Sequence, residues 1–458
     1  MSIIIPANSA SGGGGFGVAN SLRFNRGSSD YLRWNSSPSG NRQKFTWSAW
    51  FKRSSFGATQ ILASASYSGG DEGYLFLSGG GVLGWQSTNG GDGNLTTARF
   101  FKDTSAWYHV VFSVDTTQGT ATNRIKLYIN GEQYTWDGNT TQPNQNQSLY
   151  WNVGDTYYPY IGRRNGGDYF DGYMAEIVQV NNAQLAADSF GEFDEDSGIW
   201  KPIDVSGLTF GDTGYYLNFQ DSSALGNDVS GENHDWTSYN LAAVDQSTDT
   251  CTNNFCTWNP LAKYTNTLTF SEGNLKTVMS SQAWHSARGN FGFSSGKWYW
   301  ECKLLGNQSN YTGVVDESAI MNTTNAYTQN GNTLFYNGSG GEMEVNGSQT
   351  SNNYGNFSET QVCGVAVDAD NNKISIYKNG SAIVSNYSLS TTRTGFLFPT
   401  AASLDYSTEI PTGQNTNFGS PLYSESGGNS DGNGYGNFNQ SVPSGYFALN
   451  TKNLAEYG

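Results

Sequence analysis

Glu192, Asp194 and Asp196 recur at every second position. On one face of a strand, such carboxyls can approach the roughly 5–5.5 Å separation that retaining glycoside hydrolysis needs across a sugar. Their segment follows a predicted short helix, Ala183 to Phe190, and runs into Ser197-Gly198, so a loop is expected there instead of a catalytic face. Asp368, Asp370 and Asn372 have the spacing of the first three ligands of a calcium loop. Lys373 takes the place where that loop requires Gly, so a hairpin turn is expected. The three histidines, His109, His234 and His285, are widely separated, and neither a zinc-hydrolase nor a serine-hydrolase constellation is visible. Gly292 to Lys297 (GFSSGK) lacks phosphate-loop spacing, and Gly12 to Gly17 (GGGGFG) lacks a βαβ context. No catalytic, metal or cofactor-binding residue is assigned. A calcium ion on either half is allowed for, with no ligands named. What remains is tyrosine. Tyr157, Tyr158, Tyr160 and Tyr169, with Tyr423 and Tyr435, are the candidate recognition residues. A tyrosine ring stacks on a sugar or anchors a protein interface, giving large contact area with a polar tip.

Such side chains need a stiff support, and the composition says which kind. The 458 residues include 57 Gly, 13 Trp, 28 Tyr and 25 Phe, and only 14% are charged. Glycine and aromatics in excess suit short strands joined by tight turns, and the aromatics exclude a disordered chain. In Trp107 to Asp115, Tyr108, Val110, Phe112 and Val114 share one face of a half-buried strand. Ile125 to Ile129 alternates likewise and ends in Asn130-Gly131, a strong hairpin signal. Phe45 to Phe51 and Tyr173 to Val180 read as further strands. Later, Trp298, Trp300, Cys302 and Leu304 share a face, and Gln361 to Asp368 with Lys373 to Gly380 form a hairpin. The expected architecture is all-β: two antiparallel β-sandwich (jelly-roll) domains in series with an irregular acidic connector.

Ser21 to Phe24, the W-x-H-V strand at Trp107 to Val110, the L-Y-I-N-G hairpin at Leu127 to Gly131 and F-D-G-Y at Phe170 to Tyr173 resemble the laminin-G-like/concanavalin A-like jelly roll. Gly296 to Glu301 (GKWYWE), Gly364 to Asp368 (GVAVD), Ile374 to Gly380, Phe398 to Ser403 and Asn417 to Gly419 resemble a SPRY-type sandwich. The organisation expected is a Gly/Ser-rich arm over 1–17, the jelly roll over 18–190, the acidic connector over 191–262, the SPRY-like sandwich over 263–420 and a Gly-rich tail over 421–458. Phe190 to Pro202, Leu217 to Trp236, Asp249 to Cys256 and Pro443 to Leu454 resemble a family of virion proteins of marine tailed bacteriophages that join these two sandwiches. The chain departs from that pattern at Cys251 and Cys256, where the resemblance would put Pro and Ala.

The net charge is −16, and residues 191–262 alone carry 12 acidic side chains against Lys201. An acidic chain is repelled by nucleic acid and by anionic membrane surfaces. No apolar run reaches the roughly 18–20 residues of a membrane span, and Met1 to Gly15 lacks a basic signal-peptide region. Four cysteines are too few for a disulfide scaffold; Cys302 and Cys363 are expected as buried free thiols. Cys251 and Cys256 are close enough to pair, but assembly in a host cytoplasm makes reduced thiols the default. The resemblance implies a non-catalytic structural protein on the particle exterior: a tail fibre or appendage, or a capsid decoration. Its expected partners are other virion proteins, a host-surface glycan and further copies of itself. The alternatives are a glycan depolymerase on a jelly-roll scaffold and a soluble carbohydrate-binding lectin.

Overall fold

The computed structural model describes residues 15–458 except 36–37, 68–70, 89–91, 153, 155–156, 265–266, 280–283, 307–309, 322–325, 330, 338–339, 405–412 and 424–427. Most of the expected N-terminal arm therefore lies outside the described residues. The chain divides into two compact units at Thr252/Asn253.

In the first unit the strands are β1 (Ser21–Phe24), β2 (Tyr31–Arg33), β3 (Lys44–Arg53), β4 (Gln60–Tyr67), β5 (Glu72–Leu77), β6 (Val82–Ser87), β7 (Asn94–Phe100), β8 (Tyr108–Asp115), β9 (Ile125–Ile129), β10 (Glu132–Tyr134), β11 (Thr140–Thr141), β12 (Tyr157–Ile161), β13 (Gly172–Asn181), β14 (Gly191–Phe193), β15 (Trp200–Pro202), β16 (Tyr215–Leu217), β17 (Thr237–Tyr239) and β18 (Gln246–Ser247). One sheet runs β10-β9-β8-β3-β13-β1-β18 with β16 added on β13; the other runs β11-β7-β6-β5-β4-β12-β2-β17. Asn130 and Gly131 both take positive φ, 49° and 87°, as the tight turn between β9 and β10 requires. The alternation in β8 is realised: Val110, Phe112 and Val114 join Trp47, Phe51 and Trp85 in the core between the sheets.

The outward face of the first sheet is apolar too, carrying Trp50, Trp107, Val111, Tyr173 and Val178. Bare, it would leave a large hydrophobic patch in water. The acidic segment, expected as an irregular connector, instead covers it: Trp200, Val205, Phe210 and Cys251 pack there, and β16, β17 and β18 extend both sheets. The expected helix shrinks to one 3-10 turn, Ala187–Ser189, because Phe190 turns inward and leads into β14. Two carboxylates of the segment meet buried cations. Lys52 Nζ lies 2.7 Å from Asp249 Oδ2 with both side chains 1% exposed, and Arg23 Nη2 lies 3.1 Å from Asp245 Oδ1. Trp107 Nε1 donates to the other Asp249 oxygen at 3.1 Å.

The second unit has β19 (Trp258–Tyr264), β20 (Leu268–Ser271), β21 (Lys276–Met279), β22 (Trp284–Gly289), β23 (Lys297–Leu305), β24 (Asn310–Asp316), β25 (Thr333–Asn337), β26 (Glu342–Val345), β27 (Ser348–Gln349), β28 (Cys363–Asp368), β29 (Lys373–Lys378), β30 (Ser381–Ser388), β31 (Leu397–Leu404), β32 (Gly413–Asn417), β33 (Phe447–Ala448) and helix α1 (Thr451–Tyr457). Its sheets run β19-β22-β31-β24-β25-β26-β27 and β20-β21-β32-β23-β28-β29-β30. The Gly-rich tail is built in: β33 lies parallel on β23, and α1 is capped by the Asn450 side chain. Glu301, fully buried on β23, takes the backbone N–H groups of Asn439 (2.9 Å) and Gln440 (2.8 Å) and the Tyr299 hydroxyl (3.0 Å). All four cysteines are buried and none is in a disulfide. Cys302 and Cys363 face each other across β23 and β28.

Candidate ligand-binding face

The edge of the second sheet of the first unit, where β4, β12, β2 and β17 lie side by side, gathers three of the six candidate tyrosines. Strand alternation sends Leu32 and Ile161 into the core and turns Tyr31, Arg33, Tyr158 and Tyr160 outward. Register places Tyr239 opposite Tyr31, and Arg33 between Tyr160 and Thr237. The Tyr31 and Tyr239 rings stack 4.5 Å apart at 2°. The Arg33 guanidinium lies 4.8 Å over Tyr239 and 4.9 Å over Tyr158. Arg163, just past β12, lies 4.6 Å over Tyr31, 5.0 Å over Tyr160 and 5.3 Å over Tyr169. A stacked ring already occupies one face of Tyr31 and of Tyr239, so each guanidinium takes the other. The result is a four-layer stack, Arg33–Tyr239–Tyr31–Arg163, standing on the sheet.

Arg163 is aimed by its own backbone: Nε donates to the Arg164 carbonyl and Nη2 to the Asn165 carbonyl, both at 2.9 Å. Arg33 Nε donates to Asn35 Oδ1, whose amide in turn donates to Thr237 Oγ1. Arg164 beside them is neutralised by Glu72 and Asp168. Among the described residues no carboxylate pairs with Arg33 or Arg163. Burial pushes the Tyr160 phenol above its usual range, opposed by the two nearby guanidinium groups.

Of the other candidates, Tyr157 sits on β12 with its side chain outside the described residues. Tyr423 and Tyr435 belong to the second unit, under Lys303 (3.9 Å) and Lys452 (5.4 Å) respectively. Sequence reading missed Tyr31, Arg33, Arg163 and Tyr239. The Tyr-x-Arg alternation of β2 was the visible signal; Tyr239 lay in the supposed connector.

The chemically suggestive groups are engaged elsewhere. Trp200 Nε1 donates to His109 Nδ1 at 3.0 Å, so the ring proton sits on Nε2 and points at Ser48 Oγ, 2.8 Å away. In that tautomer His109 has no lone pair for the Ser48 proton, and burial lowers its pKa to about 3. Glu192 and Asp194 share Lys201 across the β14–β15 hairpin, and Asp194 also takes two bonds from Ser197. Those bonds hold Asp194 down at about 2, unsuited to proton donation. Asp368 closes its turn onto Asn371, and Asp370 accepts from Gly296 N, as a hairpin requires. Two G-x-S-x-G pentapeptides, Gly292 to Gly296 and Gly428 to Gly432, lead into a strand and a turn, so neither is a nucleophile elbow. Among the described residues no three His, Cys, Asp or Glu side chains converge as a metal site. The cavity lined by Trp34, Trp151, Asn152, Gln179 and Trp236 is about 10 Å³, room for one water and no sugar.

Residues 26–188 match the concanavalin A-like lectin/glucanases superfamily, and residues 297–414 match the SPRY domain. Sandwiches of these two kinds stand in series in this chain. Domains of both kinds are often binding modules for protein or carbohydrate. Among solved structures, the chain is similar to the SPRY domain of human HERC1 (15% identity over 35% of this chain and 96% of that one, TM-score 0.29). It is similar also to the native heptameric SAP-like pentraxin of Limulus polyphemus (16%, 37% and 80%, TM-score 0.27) and to the TRIM65 PSpry domain (13%, 34% and 90%, TM-score 0.27). The comparison with curated proteins finds no match.

Proposed function

We propose that this chain is a non-catalytic contact protein on the outside of a tailed-phage particle, carried there as a tail appendage or capsid decoration. It meets neighbouring virion proteins and the host surface through exposed faces of its sandwiches. The observation that carries this reading is the outward Tyr/Arg stack on its sheet, together with the commitment of Glu192, Asp194 and His109, on the other side of the unit, to structural bonds. The sequence resemblance of the covering segments and tail to phage virion proteins supplies the setting. Labelling of intact particles with an antibody to the chain, read by electron microscopy, tests it. Decoration of the particle exterior supports the reading; label confined to lysate and absent from purified particles removes it. Release of reducing ends from host polysaccharide, abolished by Glu192→Gln, would transfer the protein to the depolymerases.

A further inference from the structure

We infer that the Arg33–Tyr239–Tyr31–Arg163 stack takes an acidic polysaccharide, a hydroxyl-rich chain bearing sparse carboxylate or sulfate groups. The inference deepens the contact-protein reading by naming the chemical class of what that face holds. It departs from the usual expectation for exposed tyrosine. In this stack the ring faces are already spent on one another and on guanidinium groups. What is left for a ligand is the edges: phenolic hydroxyls and the guanidinium N–H groups not already given to Asn35, Arg164 and Asn165. A row of such donors matches the hydroxyl and acid groups of a sugar chain rather than its apolar ring face.

Charge narrows the ligand further. In a chain of net charge −16, Arg33 and Arg163 are two guanidinium groups that no carboxylate among the described residues neutralises, while adjacent Arg164 has two. Two unneutralised guanidinium groups favour an anion locally. They are too few to hold a duplex with one charge per roughly 1.7 Å against the repulsion of the remaining surface. Flanking Tyr158, Tyr160 and Tyr169 pack against the same two cations and fix them, so little side-chain freedom is lost on binding.

Binding of the purified full-length chain to lightly carboxymethylated dextran, lightly sulfated dextran and neutral dextran, measured by biolayer interferometry, tests this. The two lightly substituted acidic dextrans are expected to bind and neutral dextran not to, with affinity falling as salt rises from 50 to about 300 mM, where the screening length shortens. Arg33→Gln and Arg163→Gln should each weaken binding about tenfold or more, the worth of a charge-assisted hydrogen bond. Lys126→Gln, on the other sheet, should leave it unchanged. A thermal midpoint lowered by no more than about 4 °C in the variants assigns the loss to the site. Arg33→Lys, which keeps the charge and loses the planar fork, should fall between the wild type and Arg33→Gln. Equal binding of neutral dextran overturns the inference, as does full binding by the Arg33→Gln/Arg163→Gln pair. Equally tight capture of duplex DNA or polyglutamate also overturns it, since that would be indiscriminate polyanion binding. The assay uses free protein, so its failure leaves the particle-exterior reading standing, and failed particle labelling leaves this inference standing.

Discussion

Both units are sandwiches with an apolar outer sheet face that a later stretch of chain covers, yet they fasten that cover by different chemistry. In the concanavalin A-like unit the cover is acidic, and two of its carboxylates meet the buried cations Lys52 and Arg23. In the SPRY unit the cover is Gly-rich, and one buried carboxylate of the sandwich, Glu301, accepts three neutral donors, two from the cover. An ion pair binds two charges that are each intolerable alone; neutral donors satisfy one charge piecemeal. The first arrangement fails all at once when one partner is lost, and the second fails in parts.

The largest expected effect lies on the first side of that contrast. Asp249→Ala removes the carboxylate that meets both Lys52 and the Trp107 indole, so chemical unfolding should show a loss of about 3–5 kcal/mol. Adding Lys52→Met should recover much of it. No recovery would mean that packing, not charge, holds the cover.

The same unit should respond to acid through two opposed groups. Burial lowers His109 to about 3, so its contribution is full above pH 6.5 and is lost as pH falls toward 3. Burial raises Glu176 to about 7, so its destabilising effect is absent below pH 4.5 and grows as pH rises toward 7. Between pH 6.5 and 4.5 each moves stability by about 3 kcal/mol in opposite directions. His109→Gln should therefore grow more stable on acidification and Glu176→Gln less stable, as read by calorimetry. Parallel slopes in the two variants would refute the opposition.

On the second side, Glu301→Gln turns an acceptor-only group into one with an amide facing N–H donors. A loss of about 1–3 kcal/mol is expected, with faster amide hydrogen exchange over residues 439–448. A loss as large as that of Asp249→Ala would erase the distinction between the two fastenings. The smallest effect is on the half-buried stack: Arg33→Gln should cost the fold only about 0.5–1 kcal/mol by denaturant titration.

How much of this was legible depended on whether the pattern was local. Period-two alternation gave β8, β9 and β23, and Asn130-Gly131 gave its hairpin, because each signal lies within a few residues. The calcium-like Asp368 to Asn372 spacing resolved to a turn from a single residue, Lys373. The covering role of residues 191–252 was hidden because short strands of two or three residues carry too little periodicity, and because charge density reads as solvation. Only the outward apolar positions of β13 and β3, which need something over them, foretold it. The candidate face was half legible. Tyr158, Tyr160 and Tyr169 cluster in sequence, but Tyr31 and Tyr239 stand 208 positions apart and meet only through strand register.

The pairing of β18 with β1 carries one more consequence. Because these strands run antiparallel, with Ser21 opposite Ser247, the chain enters and leaves the first unit at the same end, where Thr252 Oγ1 bonds both the amide and the carbonyl of Val18. A pull applied through the two ends would open this seam like a zipper, one rung after another, rather than shearing all rungs together. Under such a load this clasp would loosen first, with the Lys52–Asp249 pair the next to resist.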